Sequence, residues 1–119
     1  LPHSLTQLVV SLAYNHSLDF LPQGLLHLHI GNGYNQPLIN LPNTLKILMI
    51  GMKYNETLDM IPDSVEILHI IWYKNKINKL PQNLKEITIY KNYKYFATNH
   101  QYVIISYLCY SKMHQYQIK

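Results

Sequence analysis

Three histidines are the residues whose type and spacing come nearest to a metal site. His27 and His29 are two positions apart, so in a strand both side chains point to the same side, about 6.6 Å apart along the chain. His69 lies much further along the chain. Zinc needs three or four ligands at bonding distance, and the pair has no third ligand beside it. We therefore interpret all three as surface histidines and expect no metal ion.

Cys109, with His100 and His114 near it in sequence, suggests thiol catalysis. A reactive thiolate needs an orienting acid, an oxyanion hole or a positive environment, and the surrounding sequence supplies none. There is no glycine-rich phosphate loop, and the acids Asp59 and Asp63 on either side of a proline are predicted to be solvated. We expect no enzyme activity and no cofactor. One cysteine allows no internal disulfide, which favours a reducing compartment, and we expect a cytoplasmic location.

Lysines interleaved with tyrosines are a rival signal, which fits either nucleic-acid binding or, as we favour, a soluble end of the protein whose positive charges repel other copies. Residues 1–73 hold two lysines against five carboxylates, whereas residues 74–119 hold eight lysines against one. Lysines beside aromatic side chains can hold a phosphate backbone and stacked bases. Arginine, the residue suited to bidentate contacts, is absent. The stretch comprises Lys74, Lys76, Lys79, Lys85, Lys91 and Lys94 with Tyr73, Tyr90, Tyr93 and Tyr95.

These residues sit within a repeat of about 20 residues, in which one unit is shorter by a single residue. Leu-Pro or Ile-Pro pairs begin at positions 1, 21, 41, 61 and 80, and the template is L-P-x-x-L-x-x-L-x-I-x-x-x-Y-N-x-x-L-x-x. In the fourth repeat Lys74 stands at the tyrosine position. The apolar columns are Leu5, Leu25, Leu45, Val65 and Leu84; Leu8, Leu28, Leu48, Leu68 and Ile87; Val10, Ile30, Ile50, Ile70 and Ile89; and Leu18, Leu38, Leu58 and Ile77.

The alternating apolar residues of each repeat predict a short strand with one buried face. A single repeat is too short to bury that face alone, so stacked units are expected to form a parallel sheet over a continuous core. Tyrosines are expected to stack from unit to unit, and asparagines to satisfy backbone groups left unpaired at the bend. These two structural columns are Tyr14, Tyr34 and Tyr54, and Asn15, Asn35, Asn55 and Asn75.

Strand residues between the core positions are predicted to point outward on a concave face. Two such columns hold Gln7, His27, Ile47, Ile67 and Glu86, and Val9, His29, Met49, His69 and Thr88. A neighbouring column holds Ser11, Gly31, Gly51, Ile71 and Tyr90, with Trp72 and Tyr73 just beyond. An apolar patch with polar edges is typical of an interaction site. The predicted partner-binding residues are His27, His29, Ile47, Met49, Ile67, His69, Ile71 and Trp72.

The repeat resembles leucine-rich repeats, and among them the FNIP repeats of amoebal and giant-virus proteins. Residues 21–38 carry this resemblance, with an L-P-x-x-L opening and an ending Tyr34-Asn35-Gln36-Pro37-Leu38, although tyrosine replaces the phenylalanine of the family signature. The resemblance covers roughly residues 1–94. It implies a protein-binding role, an F-box elsewhere in a longer protein, and the host-cell cytoplasm if the protein is viral.

We therefore predict a right-handed leucine-rich-repeat solenoid, nearly all β although the class is conventionally α/β. Short parallel strands should line the concave face, and extended return segments with little helix the convex face. The repeats are expected at 1–20, 21–40, 41–60, 61–79 and 80–94. Residues 95–119 are expected to form a degenerate C-terminal cap with a disordered end, and Tyr102 to Tyr110 is predicted as a sixth, degenerate strand unit.

The predicted function is a non-catalytic scaffold that binds another protein through its concave face, as the substrate-recognition part of a larger F-box-like adaptor. The alternative is binding of nucleic acid or an anionic surface through the Lys/Tyr-rich C-terminal end. The longest apolar stretch falls well below the roughly 18 residues of a membrane span, so no membrane partner is expected.

Overall fold

A computed structural model describes residues 2–70, 72–90 and 104–108 of the 119-residue chain. For Tyr90 and residues 104–108 the backbone alone is described. Six strands follow one another along the chain. They are β1 (Gln7–Val10), β2 (His27–Ile30), β3 (Ile47–Ile50), β4 (Ile67–Ile70), β5 (Glu86–Tyr90) and β6 (Ile104–Leu108). The described part of the chain contains no helix, and thus no helix long and apolar enough to cross a membrane.

The strands form one six-stranded sheet in the order of the sequence, and every neighbouring pair is parallel. The register is constant: Leu8 pairs with Leu28, Leu28 with Leu48, and Leu48 with Leu68. Each repeat therefore adds one strand and returns to the start of the next, which confirms the predicted solenoid of stacked parallel strands. β6 lies within the stretch that predicted a sixth strand; most of the predicted cap lies outside the described residues.

The core is built from the apolar columns of the template. In β2, β3 and β4 the burial alternates residue by residue, with the second and fourth positions buried. Leu28, Leu48 and Leu68 lie above one another in adjacent strands and are almost completely removed from water. Burial of a leucine side chain contributes roughly 1.5–3 kcal/mol, so the stacked columns are the main source of stability.

The first repeat is less buried than those that follow. Leu5, Leu8, Tyr14 and Leu18 are only partly buried, although their counterparts in the second repeat are fully buried. β1 is the terminal strand in the sheet order, so in the described structure no strand covers its outer edge. Each internal repeat needs a neighbour on both sides to complete its core.

The tyrosine column also runs through the fourth repeat, where Tyr73 and not Lys74 occupies it. Tyr73 is buried and stacks on Tyr54 with ring centroids 6.3 Å apart. Tyr14 and Tyr34 stack at the same centroid distance with nearly parallel rings. The prediction that Lys74 replaces the tyrosine is wrong, because the shorter repeat loses its residue before Tyr73 and the aromatic ring keeps its place in the core. Lys74 is exposed.

The tyrosine hydroxyls are bonded unequally. The hydroxyl of Tyr54 donates to the carbonyl of Thr57 at 2.6 Å and accepts from the N–H of Leu38 at 3.3 Å. The hydroxyl of Tyr73 donates to the carbonyl of Glu56 at 2.8 Å. The buried hydroxyl of Tyr34 has no hydrogen-bond partner among the described residues, and burial raises the pKa of Tyr34 to about 12.

Asparagines connect the repeats at the surface. The N–H groups of Asn35 and Asn55 each donate to the side-chain carbonyl of the equivalent asparagine in the preceding repeat, at 2.7 Å in both cases. Asn75 differs from the prediction: its side-chain amide donates to Asn55 as the Gln36 amide donates to Asn15, so in the shortened repeat it takes the position after the asparagine column. These side chains are exposed or half-exposed, so the column stabilises the outer wall of the solenoid by satisfying backbone groups next to water.

The acids on the return segment have a similar role. One carboxylate oxygen of Asp59 accepts from the N–H groups of Asn78 and Lys79, at 3.0 and 3.2 Å. The Asn78 side-chain amide also donates to this carboxylate, and these bonds lower the pKa of Asp59. Asp63 accepts from the N–H of Gln82 at 2.9 Å. Asp59 and Asp63 are therefore not simply solvated, as the sequence suggested, but hold the next repeat in place.

Each of β1 to β5 is preceded by a proline turn, and each of β1 to β3 is followed by a tight bend. The carbonyls of Pro2, Pro22, Pro42, Pro62 and Pro81 accept from the N–H three positions later, at 3.1–3.2 Å. After β2 and β3, Gly31 and Gly51 lie against the backbone of the previous repeat. A Cβ on Gly51 would lie 2.6 Å from the Cα of Asn32 and 2.7 Å from its nitrogen. Only glycine therefore permits this close approach.

The substitution Gly51→Ala is expected to destabilise the protein by about 1–3 kcal/mol, since a methyl group at this position meets backbone that cannot rotate away. Gly24→Ala is the matched control, because the nearest atom to its added Cβ is a backbone oxygen at an ordinary 3.6 Å. Thermal and urea unfolding followed by circular dichroism measure both changes. Equal stability of the two variants would show that the bend tolerates a side chain.

Replacing Tyr54 by phenylalanine is expected to cost about 1–3 kcal/mol, because the N–H of Leu38 and the carbonyl of Thr57 lose their partner in a buried place. Tyr34→Phe removes a hydroxyl that has no partner among the described residues, so we expect no loss of stability or a small gain. Urea unfolding of the two variants tests the difference. A loss for Tyr34→Phe as large as for Tyr54→Phe would contradict it.

Candidate functional site

The side of the sheet facing away from the core presents two parallel columns, which we call the outer sheet face. The constant register places His27, Ile47, Ile67 and Glu86 in one column next to Gln7 of β1. It places Val9, His29, Met49, His69 and Thr88 in the second column. Alternation along each strand produces this arrangement, because adjacent residues of a strand point to opposite faces.

Six of the eight predicted partner-binding residues lie on the outer sheet face. They are His27, His29, Ile47, Met49, Ile67 and His69, and all six are partly buried. Their neighbours across the strands shield them even though they point away from the core. A shallow depression crosses the first three strands, between Val9, His27, His29, Ile47 and Met49, with Gln7 at its edge.

The exposed apolar surface is largest toward β1. Val9 is 68% exposed, whereas the residues that follow it in the same column, from His29 to His69, are partly buried and Thr88 is buried. The outer sheet face therefore combines apolar groups held in fixed positions with imidazoles that can donate or accept hydrogen bonds. Such a surface suits contact with a protein segment better than catalysis.

His69 lies on the outer sheet face, and its ionisation is perturbed. Burial lowers the pKa of His69, and the nearby carboxylate of Glu86 only partly offsets this. Its Nδ1 atom is buried and has no hydrogen-bond partner among the described residues. Within those residues no group of three or more His, Cys, Asp or Glu side chains could hold a metal ion.

Of the other two predicted members, one lies away from the outer sheet face and the other is not described by the structure. Trp72 follows β4 in the bend and borders a groove with Met52, Lys53 and Lys74, away from the strand columns. Ile71 lies outside the described residues. The expected third outward column is wrong at Gly31 and Gly51, which are buried against the preceding repeat. Tyr73, expected just beyond that column, is in the core.

A row of charges runs beside the strands. The carboxylate of Glu66 lies 3.5 Å from the ammonium of Lys46 and 3.2 Å from that of Lys85. A hydrogen bond from Lys85 and its charge, together with Lys46, lower the pKa of Glu66. The two lysines are exposed and Glu66 is partly exposed, and solvent screening makes the contribution of such surface ion pairs to stability small. They link three repeats without adding a net negative charge to the surface.

The Lys/Tyr-rich stretch is only partly available as a nucleic-acid surface. Tyr73 is buried and Lys85 is paired with Glu66, whereas Lys74, Lys76 and Lys79 are exposed. The remaining members of the stretch, and the thiol candidates, lie outside the residues whose side chains are described. They are Lys91, Lys94, Tyr90, Tyr93, Tyr95, Cys109, His100 and His114.

Sequence reasoning missed Met52 and Lys53, which line the groove beside Trp72. A signal for them was present. The corresponding bend residues of the first two repeats are Leu12-Ala13 and Asn32-Gly33. In the third repeat a lysine therefore stands where the first two have a small, uncharged residue, and a methionine precedes it. The template hides this difference, because bend positions carry no consensus residue.

Comparisons with known proteins agree with this architecture. Residues 34–71 match the family model described as FNIP Repeat. The fold is similar to the crystal structure of CroV588, described as a novel circular LRR protein, with a TM-score of 0.56 and 26% sequence identity. The match covers 79% of this chain and 18% of that chain, so this chain spans a small part of its length. Among curated proteins no relative matches. The predicted resemblance to leucine-rich repeats of the FNIP type is confirmed.

The burial of His69 predicts a pH-dependent stability. The folded state disfavours the protonated imidazole, so the unfolded state binds more protons once the pH falls to about 6.5 and below. Stability should therefore decrease as the pH falls from 7 through this window. His69→Met should flatten this decrease, whereas His3→Met, at an exposed position, should leave it unchanged. Urea unfolding at a series of pH values measures it, and identical profiles for the wild type and His69→Met would refute the assignment.

Proposed function

We propose that this chain is a non-catalytic protein-interaction scaffold that binds a protein partner through its outer sheet face, the face expected to be concave. The stacked-repeat fold supports the general role, because repeat solenoids present extended surfaces for binding. The matches to the FNIP repeat model and to a leucine-rich-repeat structure support the same class of protein.

One observation carries the choice of surface. Ile47 and Ile67 lie side by side on adjacent strands, and Met49 lies beside His69 in the next column. Parallel strands in fixed register hold these side chains, so little conformational freedom remains to be lost when a partner binds. Binding to such a preorganised surface has a smaller entropic cost than binding to a flexible one.

The chemistry of the face suits a mixed apolar and polar segment. The apolar centre of Ile47, Met49 and Ile67 offers area to bury, and His27 and His29 at its side offer donors and acceptors. Methionine is well adapted to such surfaces, because its flexible, polarisable side chain adjusts to different partners. In a longer protein, by its resemblance to FNIP repeats, this scaffold would recognise the substrate of an F-box-like adaptor.

Nucleic-acid binding has less support as the main function. A binding groove for single strands combines a continuous track of cations with aromatic side chains on which bases stack. Among the described residues of the candidate stretch, the aromatic side chain of Tyr73 is inside the core and Lys85 is neutralised by Glu66. Three exposed lysines remain, at positions 74, 76 and 79, and no tyrosine of the stretch whose side chain is described lies exposed beside them.

The test uses peptide ligands selected from a random displayed library on the intact chain. The double substitution Met49→Asp with Ile67→Asp places two charges in the centre of the face and should weaken binding at least about tenfold, or roughly 1.4 kcal/mol. Ile39→Asp with Met60→Asp is the matched control, since it changes the same residue types at exposed positions of the return segments. Titration calorimetry measures the affinities.

Circular dichroism of each variant first shows that the fold is intact. Ligands that keep their affinity for the Met49/Ile67 variant, or lose it equally in the Ile39/Met60 control, would exclude the outer sheet face as the binding site. Affinity that falls steeply with added salt, with single-stranded DNA competing, would favour the nucleic-acid alternative instead.

A further inference from the structure

A groove lies between the third and fourth repeats, at the bends that follow β3 and β4. It is lined by Met52, Lys53, Tyr54, Asn55, Trp72 and Lys74. Its volume is about 250 Å³, below the range of roughly 300–1,000 Å³ that is typical of small-molecule pockets. The groove therefore has room for one or two side chains of a partner.

The backbone holds the groove in position. The N–H of Met52 donates to the side-chain oxygen of Asn32 at 3.2 Å, and the N–H of Lys53 donates to the Asn32 carbonyl at 3.1 Å. Tyr54, buried and bonded to the carbonyl of Thr57, forms the floor. The bend that presents Met52 and Lys53 is thus fixed to the preceding repeat and does not need to order itself when a ligand binds.

The groove offers hydrogen-bond donors and few acceptors. Lys53 and Lys74 are exposed, and among the described residues neither ammonium group forms an ion pair with a carboxylate. The backbone and side-chain carbonyls of Asn55 already accept from the amide of Asn75. The group of Asn55 that remains for a ligand is its side-chain NH₂, which is a donor. Because the groove thus presents mainly donors and positive charge, it suits an anionic ligand.

Trp72 and Met52 supply the other half of the site. Both are partly exposed, next to the two lysines. Tryptophan is enriched among the anchor residues of protein interfaces, and methionine adapts to apolar side chains of different shape. Apolar side chains that share a groove with two cations favour a ligand that carries an apolar group directly beside a negative one.

We infer that this groove binds an acidic residue and a neighbouring apolar residue in an extended segment of the protein partner. The inference rests on the proposed function, because it assigns part of the same partner to a second contact beyond the end of the strands. It goes further by stating the chemistry of that partner: a carboxylate between Lys53 and Lys74 and an apolar side chain on Trp72.

A peptide is favoured over a nucleic acid here. Tyr54 is buried, and so is Tyr73 in the same column of the next repeat, so the partly exposed Trp72 is the one aromatic ring that the described groove offers for stacking. Glu56 and Asp59 follow shortly afterwards on the return segment, and their negative charges would repel a continuous phosphate backbone. A short peptide with one or two carboxylates brings fewer negative charges close to these acids, so it is repelled less.

Trp72 provides a local reporter, because it is the only tryptophan in the sequence. The probe is a blocked hexapeptide with two glutamates between leucines, titrated into the full chain while tryptophan fluorescence is recorded. The control peptide has glutamine in place of each glutamate. We expect a saturable change with the acidic peptide and an affinity at least about tenfold lower for the glutamine peptide.

The variant Lys53→Gln with Lys74→Gln should reduce the affinity for the acidic peptide by about tenfold or more. Lys76→Gln with Lys79→Gln removes the same charge from exposed positions outside the groove and should change the affinity less than about threefold. Equal losses in the two variants, or equal binding of both peptides, would overturn the inference. So would a saturable response to a single-stranded oligonucleotide at lower concentration than to the acidic peptide.

The Met49→Asp, Ile67→Asp variant separates this inference from the proposed function. It should keep the Trp72 response to the acidic hexapeptide, because those residues do not line the groove. If the acidic peptide fails to bind while library ligands still depend on Met49 and Ile67, the groove is excluded and the outer sheet face stands. The opposite outcome would leave the groove as an acidic-peptide site and remove the outer sheet face.

Discussion

Parallel pairing in constant register is the constraint on which the rest of this structure depends. Each strand bonds to the strand of the repeat before it, and equivalent residues face one another from β1 to β4. Leucines at the same position of successive repeats therefore contact one another, and asparagines at the same position form hydrogen bonds from repeat to repeat. A slip of one residue would turn the core positions of a strand outward, so the hydrophobic pattern and the backbone pairing protect each other.

The same constraint explains how the molecule separates stability from recognition. Core side chains lie on one side of the sheet and the outer sheet face lies on the other, so a change of residue type along one outer column, as from Val9 to His29, leaves the core unchanged. The groove beside Trp72 is independent in a different way, because it depends on bend residues that the strand pattern does not restrict. Two surfaces of different chemistry can thus be carried by one repeated frame.

Much of the fold could be predicted from the sequence because residues of the same type recur at the same position of each repeat. Leu28, Leu48 and Leu68 repeat at fixed intervals. Apolar residues that recur at the same position of every repeat are expected to share one core, and these three do. The errors have physical causes. Tyr73 keeps its place in the tyrosine column, but it stands one position earlier than the template predicts, and counting residues does not show where the shorter repeat loses its residue. Gly31 and Gly51 are buried because they lie close to neighbouring backbone, which residue type alone does not reveal. The groove escaped prediction because it joins Met52 and Trp72 from bends of two repeats, and bends have no periodic signal.

The fourth repeat, one residue shorter than its neighbours, shows where this architecture tolerates change. β4 and β5 still pair as Ile67 with Glu86 and Leu68 with Ile87, although these partners are one position closer in sequence than those of the earlier strands. The missing residue is absorbed before Tyr73, whose ring nevertheless stacks on Tyr54. In this repeat the change of length is confined to the bend after the strand. New surface features can arise in such a bend by insertion or deletion while the strands keep their partners. Such a protein would therefore diversify first in the bends between strands, while the strands and their core residues stay the same.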